Sequence, residues 1–76
     1  MKKAIKKPTC CIYPSGNKYW TLDNGTFHRE DGPAIEYISG LKKWFLNGKK
    51  YSEQDYYREL YKRGIITREE AFLHVL

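Results

Sequence analysis

His28-Arg29-Glu30-Asp31 is the string in this chain whose residue types could do chemistry. An imidazole close to two carboxylates could move a proton or supply part of a metal site. The same residues also make an ordinary loop network, with Asp31 bonding to backbone around the turn at Gly32 and Arg29 paired to a nearby carboxylate. The other reactive side chains do not complete a catalytic set. Cys10 and Cys11 are adjacent, whereas disulfides between neighbours are strained and zinc sites want a spacer between thiols. His74 adds no recognisable ligand spacing. The cysteines read as reduced structural thiols. No phosphate-binding glycine loop, nucleophile elbow, paired-histidine zinc motif or nucleotide fingerprint occurs. The expectation is a protein that is not an enzyme and uses neither cofactor nor metal.

Binding chemistry is better represented. Lys42-Lys43 and Lys49-Lys50 flank a hairpin around Phe45, and paired across the strands they form a basic patch. Such a patch suits a phosphate backbone or an acidic partner, or it guards short edge strands against aggregation. Tyr19 and Phe45 are the candidate outward aromatics. Trp20 and Trp44 read as core residues, although tryptophans can also be stacking platforms for bases. The chain carries a net charge of +5 over 76 residues. Lys2, Lys3, Lys6 and Lys7 concentrate that charge on a basic arm over 1–8, closed by Pro8. An arm of this kind meets nucleic acid or an acidic protein surface, and charge alone does not choose between them.

The elements that position these residues come from an internal repeat. Tyr13-Pro14-Ser15-Gly16-Asn17-Lys18-Tyr19-Trp20-Thr21-Leu22 recurs as Tyr37-Ile38-Ser39-Gly40-Leu41-Lys42-Lys43-Trp44-Phe45-Leu46. Each copy leads to an Asn-Gly pair, Asn24-Gly25 and Asn47-Gly48, so each is one supersecondary unit. Units of this size usually present a surface rather than carry chemistry. Trp20, Leu22, Trp44 and Leu46 recur in both copies, and alternation puts Trp44 with Leu46 on the core face and Phe45 on the other. Thr21 stands in the Phe45 position, so the copies differ on their outward face.

Turn signals at Pro14-Ser15-Gly16, Asn24-Gly25, Asp31-Gly32, Ser39-Gly40 and Asn47-Gly48 separate short aromatic or β-branched segments. Those segments are 10–13, 19–22, 26–28, 34–38, 41–46 and 49–51. The pattern predicts an antiparallel meander of five or six short strands. Ser52-Glu53-Gln54-Asp55 and Thr67-Arg68-Glu69-Glu70 resemble capping boxes, and Gly64 suits a left-handed helix end. Helices are predicted near 53–63 and 68–75. Tyr56, Tyr57, Leu60 and Tyr61 form one apolar stripe, and Ala71, Phe72, Val75 and Leu76 another. The class is α+β, one domain over 1–76, with a helical hairpin packed on the sheet. The tyrosines of the first helix read as packing residues, with self-association into a homodimer as the alternative. No apolar run reaches the length of about 18 residues that spanning a membrane needs.

The string His28-Arg29-Glu30-Asp31-Gly32-Pro33-Ala34-Ile35-Glu36-Tyr37, followed by Gly40, Trp44, Leu46, Asn47, Gly48 and Lys49, resembles the HREDGPA-type repeat of small tailed-bacteriophage proteins, often described as a variant of the MORN repeat. The resemblance covers roughly 13–51. Only one full HREDGPA string is present, and the glycine spacing of a standard MORN repeat is absent, so membrane-lipid binding is not implied. Proteins of this type reuse the string many times, which implies that His28 and Asp31 serve structure.

The resemblance implies a phage accessory protein in the host cytoplasm that binds a host protein or protein complex. Its most concrete form is an inhibitor of a host defence complex, such as an anti-CRISPR or another anti-defence protein. The binding residues are then expected among Tyr19, Phe45, Lys42, Lys43, Lys49, Lys50, Lys6 and Lys7. The alternatives are a small basic nucleic-acid-binding module that uses the same lysines and Phe45, and a structural virion or assembly component.

Overall fold

The two repeat copies fold into the same turn. The glycine N–H donates to the tyrosine carbonyl three residues back, Gly16 to Tyr13 at 2.8 Å and Gly40 to Tyr37 at 2.9 Å. The tyrosine N–H donates forward across the turn, Tyr13 to the Asn17 carbonyl and Tyr37 to the Leu41 carbonyl, both at 2.9 Å. The serine within each turn accepts one more N–H at 3.4 Å, from Asn17 onto Ser15 and from Leu41 onto Ser39. The two turns are also tied together, because Ile38 N–H donates to Asn17 Oδ1 at 2.9 Å. This is a computed structural model, and it describes residues 7–75. Lys2, Lys3 and Lys6 of the basic arm, and Leu76, lie outside the described residues.

Five strands form one antiparallel meander: β1 (Thr9–Ile12), β2 (Lys18–Thr21), β3 (Ile35–Glu36), β4 (Lys42–Leu46) and β5 (Lys49–Tyr51), in that spatial order. The β4–β5 hairpin turns at Asn47 and Gly48, whose φ angles of 52° and 84° are what a two-residue hairpin turn requires. The expected strand over 26–28 is reduced to a single bridge between Thr21 and Phe27. It is instead pinned from both sides. His28 N–H donates to the Trp20 carbonyl at 3.0 Å, Arg29 N–H to Phe45 at 3.3 Å, and Gly48 N–H to Phe27 at 2.8 Å. Asp31-Gly32-Pro33 follows at once, and a turn closed by a residue without an N–H cannot extend a ladder.

Two helices follow, α1 (Glu53–Lys62) and α2 (Arg68–Val75). Ser52 caps α1 by accepting from Asp55 N–H at 3.2 Å, while Asp55 pairs with Arg58 rather than returning the bond. Thr67 and Glu70 make the full reciprocal box, with Glu70 N–H to Thr67 Oγ1 at 3.1 Å and Thr67 N–H to Glu70 Oε1 at 2.8 Å. Gly64, at φ 77°, ends α1.

The core sits between α1 and the β4–β5 hairpin. Leu46, Tyr56 and Leu60 are its fully buried members, with Trp44, Tyr51, Tyr57, Ile65 and Ile66 packed around them. Burial of a leucine-sized side chain stabilises by about 1.5–3 kcal/mol, so this small cluster dominates the fold. Trp20 and Leu22 are half-buried and stand outside it. Tyr61 is 47% exposed, so it does not share the packed stripe of α1. The second expected stripe also differs. Ala71 is buried, Phe72 and Leu73 are 61% and 76% exposed, and α2 leans on α1 partly through His74 stacked on Tyr57 at 3.8 Å. No helix among the described residues is long and apolar enough to cross a membrane.

Candidate binding face

Register decides which side chains share a face, because residues opposite each other across antiparallel strands point the same way. Cys11 lies opposite Tyr19, Tyr19 opposite Ile35, Ile35 opposite Lys43, and Phe45 opposite Lys50. Thr21 bridges Phe27. By alternation Tyr13, Tyr37 and Phe45 join this set. The other face holds Trp20, Trp44, Leu46 and Tyr51, and α1 covers it along β4 and β5. The helical hairpin thus leaves the first face open.

On that open face the aromatic side chains touch in series. Tyr13 meets Tyr19 edge-on at 4.8 Å, Tyr19 stacks on Phe27 at 6.0 Å, and Phe27 meets Phe45 at 5.1 Å. Tyr37 stands against Tyr19 at 6.5 Å. The stripe roofs Ile35, which is only 4% exposed although no helix of the described residues lies above it. At the end where the two repeat turns meet, Tyr13, Ile38 and Leu41 are 54%, 75% and 57% exposed, so the apolar surface runs off the sheet edge. On the β4–β5 side of this face Lys43 and Lys50 stand together. Lys43, by hydrogen bonding and by charge repulsion, holds the Lys50 ammonium below its ordinary range. Two crowded ammonium groups leave positive charge that a carboxylate would relieve.

The expected basic patch is therefore half the size anticipated. Lys43, Lys50, Tyr19 and Phe45 do share the open face. Lys42 and Lys49 do not, because each is one residue out of phase: Lys42 lies opposite Glu36, and Lys49 lies opposite Leu46 with its ammonium 5.3 Å from the Tyr51 ring. Lys7 is elsewhere, lining a cleft of about 770 Å³ with Trp20, Glu30, Tyr57 and His74. Lys6 lies outside the described residues. Phe27, Tyr37 and Tyr13 were absent from the expected site. Their signal was available as odd-numbered alternation with Tyr19 and Phe45, but Phe27 lies in a loop where that phase cannot be counted forward.

The His28–Asp31 string forms a bracket between the loop, β3 and the β4–β5 turn. His28 is fully buried. Its Nδ1 accepts from Asn47 N–H at 2.9 Å, so the ring hydrogen sits on Nε2 and is donated to Glu30 Oε2 at 3.1 Å. Nδ1 thus ties the loop to the β4–β5 turn, and Nε2 ties the loop to itself. Arg29 holds the other side. Its guanidinium lies 3.9 Å above the Trp20 ring and donates to Asp31 at 2.8 Å, Glu36 at 3.1 Å and the Pro33 carbonyl at 3.1 Å. Burial opposes that charge, and the hydrogen bonds and charges of Asp31 and Glu36 outweigh it, so the Arg29 pKa is raised. Asp31 accepts from Arg29 Nε and not, as expected, from the backbone around Gly32, whose N–H donates to Tyr56 Oη at 3.3 Å. Among the described residues no group of three or more His, Cys, Asp or Glu side chains is placed to hold a metal ion.

Compared with protein-family models, with curated proteins and with solved structures, the chain finds no match in any of the three.

Proposed function

We propose that this chain is a non-enzymatic binding protein whose open aromatic face seats a protein partner. The observation that carries the reading is the unbroken series Tyr13, Tyr19, Phe27, Phe45 on a sheet face that no helix among the described residues covers. Aromatic centres rimmed by charge are where protein interfaces concentrate their binding energy. The crowded pair Lys43 and Lys50 gives that rim a sign, and the partner offers carboxylates opposite it. A single-stranded nucleic acid fits less well. Base stacking wants open ring faces, and these rings are spent on one another. Phosphate tracking wants a row of cations, and Lys42 and Lys49 lie on the other face.

The setting rests on the resemblance of residues 13–51 to the HREDGPA-type repeat. In the proposal the chain is a tailed-phage accessory protein acting in the host cytoplasm, and its partner is a host protein, most concretely a component of a defence complex that it inhibits. The experiment is an affinity capture from host cells, run with wild type and with the double variant Lys43→Glu/Lys50→Glu, each with and without nuclease. A host protein retained by wild type, lost from the variant and indifferent to nuclease supports the reading. Equal capture by both proteins, or capture that nuclease abolishes, overturns it.

A further inference from the structure

β1 is an edge strand whose outer backbone lies between Pro8 and Pro14. Tyr13 N–H donates to Asn17, so Tyr13 and, by alternation, Cys11 and Thr9 aim their backbone groups at β2. Trp20, opposite Cys10, turns its own N–H away to Ala34 at 2.8 Å. Cys10 and Ile12 therefore aim their N–H and C=O groups outward. Among the described residues no strand lies along that edge.

Sheet edges are usually blunted by lysine, proline or a bulge. The opposite edge, β5, carries Lys49 and Lys50 and runs into α1. β1 is uncharged along its length, and all four of its side chains are exposed. Ile12 is 66% exposed, and Cys10 and Cys11 are free and exposed, although free cysteine is among the most buried residue types.

We infer that this edge pairs with β1 of a second copy, antiparallel, about a two-fold axis at Cys11. That register sets Cys10 against Ile12 of the second copy and the reverse, so every outward N–H and C=O of Cys10 and Ile12 is bonded. Centring the axis on Cys10 instead puts Pro8 opposite Ile12, and centring it on Ile12 puts Pro14 opposite Cys10. Each of those loses a donor at the proline.

Charge leaves this edge open to a second copy. The chain's net charge of +5 opposes contact between copies wherever lysines meet, and β1, with no charged residue, avoids that repulsion. The antiparallel arrangement sets Lys7 against Ser15 of the other copy rather than against a lysine. Cys11, Thr9 and Tyr13 lie on the aromatic face, so the two stripes run on across the seam. The pairing does not depend on what that face binds. A seam of one short strand is small, and the dimer is a reversible one.

In this register the two Cys11 residues form a non-hydrogen-bonded pair with Cα atoms about 4.5 Å apart, within disulfide reach. The two Cys10 residues are diagonal neighbours about 7–8 Å apart, beyond it. The test is sedimentation equilibrium of the reduced chain over a hundredfold concentration range, alongside diamide oxidation of Cys10→Ser and Cys11→Ser. In that oxidation two thiols each give up one hydrogen, which diamide takes up as it becomes the hydrazine, and one S–S bond forms.

Wild type is expected to shift reversibly from monomer to dimer. Cys10→Ser is expected to cross-link at least tenfold faster than Cys11→Ser. Ile12→Pro removes an outward N–H and leaves the β1–β2 ladder intact, so it is expected to weaken dimerisation at least tenfold with unchanged far-UV circular dichroism. A wild type that stays monomeric throughout overturns the inference. So does Cys11→Ser cross-linking as fast as Cys10→Ser, which remains readable even where Ile12→Pro perturbs the fold.

Discussion

The hydroxyl of Tyr56 donates to the carbonyl of Arg29, so the first helix holds the bracket loop through one side chain. The same oxygen accepts from Gly32 N–H at 3.3 Å. Tyr56 is fully buried, and its ring carries the core while its tip satisfies two loop backbone groups. Replacing it with phenylalanine keeps the ring and orphans both groups. Leaving buried polar groups unpaired costs about 1–3 kcal/mol, so Tyr56→Phe is expected to lower unfolding stability by about 2 kcal/mol in urea titration. Binding at the open face is expected to survive, since Tyr56 lies beneath the opposite one.

Tyr56 also sets an alkaline limit. Burial pushes its phenol well above the ordinary value of 10.0. In that range the unfolded chain gives up the tyrosine proton while the folded chain keeps it. A group whose folded pKa is raised contributes stability that is present below its unfolded pKa and lost as pH rises toward the folded one. Stability is expected to be level with respect to Tyr56 up to about pH 10, then to fall by about 1.4 kcal/mol per pH unit. Tyr56→Phe is expected to flatten that part of the profile by one proton's worth. An unchanged slope in the variant would show that the phenol is not held neutral by the fold.

Arg29 is the second fastener of the bracket, and its geometry is specific to a guanidinium. A lysine keeps the charge but cannot lie flat on Trp20 while donating to Asp31, Glu36 and the Pro33 carbonyl. Arg29→Lys is expected to cost about 1–2 kcal/mol, and Arg29→Ala more, because half-buried Glu36 on β3 then loses its guanidinium partner. Denaturation in low and high salt checks the assignment. The loss on Arg29→Lys is expected to persist in salt, since it comes from shape and directed bonds rather than from long-range charge.

How far the sequence reveals this molecule depends on whether a feature is local. Gly64, the Thr67–Glu70 box and the Asn47-Gly48 turn are local, and each appears where its residues predict it. The doubled Tyr-x-Ser-Gly turn is local too, and the two copies reproduce its bonds one for one. The faces of the lysines were not legible by counting from Phe45 as a patch. Lys42 and Lys49 each sit one residue away from the side chains that share its plane, and a single-residue phase difference reverses a strand's face. Phe27 was hidden for a related reason, since the Leu22–Thr26 turn and the irregular stretch after His28 break the alternation on both sides. The bond from Tyr56 to Arg29 spans 27 residues, and nothing in either neighbourhood announces it.

The cap on α2 offers a local test of how the helices share stability. Thr67 and Glu70 satisfy each other's backbone donors, while α2 packs on α1 rather than on the sheet. Loss of an N-cap side chain costs about 1 kcal/mol. Thr67→Ala is therefore expected to raise amide exchange through 68–75 and to leave the exchange of β4 and β5 unchanged. If the strands loosened to the same degree, the second helix would belong to the same cooperative unit as the sheet.

His28 separates a structural role from a chemical one most sharply. The residue is fully buried, bonded to Asn47 N–H and Glu30, and it fills the space between the bracket loop and the β4–β5 turn. Truncation to alanine opens a cavity, orphans a backbone donor and leaves the Glu30 carboxylate without its donor, so His28→Ala is expected to cost about 3 kcal/mol. For a chain of this size each kcal/mol lowers the melting temperature by about 4–8 °C, so the drop should be large and easily read by calorimetry. At a temperature where the variant is still folded, partner binding is expected to match wild type, because Tyr19, Phe27 and Phe45 face the other way. A variant that lost its biological effect while melting at the wild-type temperature would mean that the imidazole acts chemically, and the bracket assignment would fail with it.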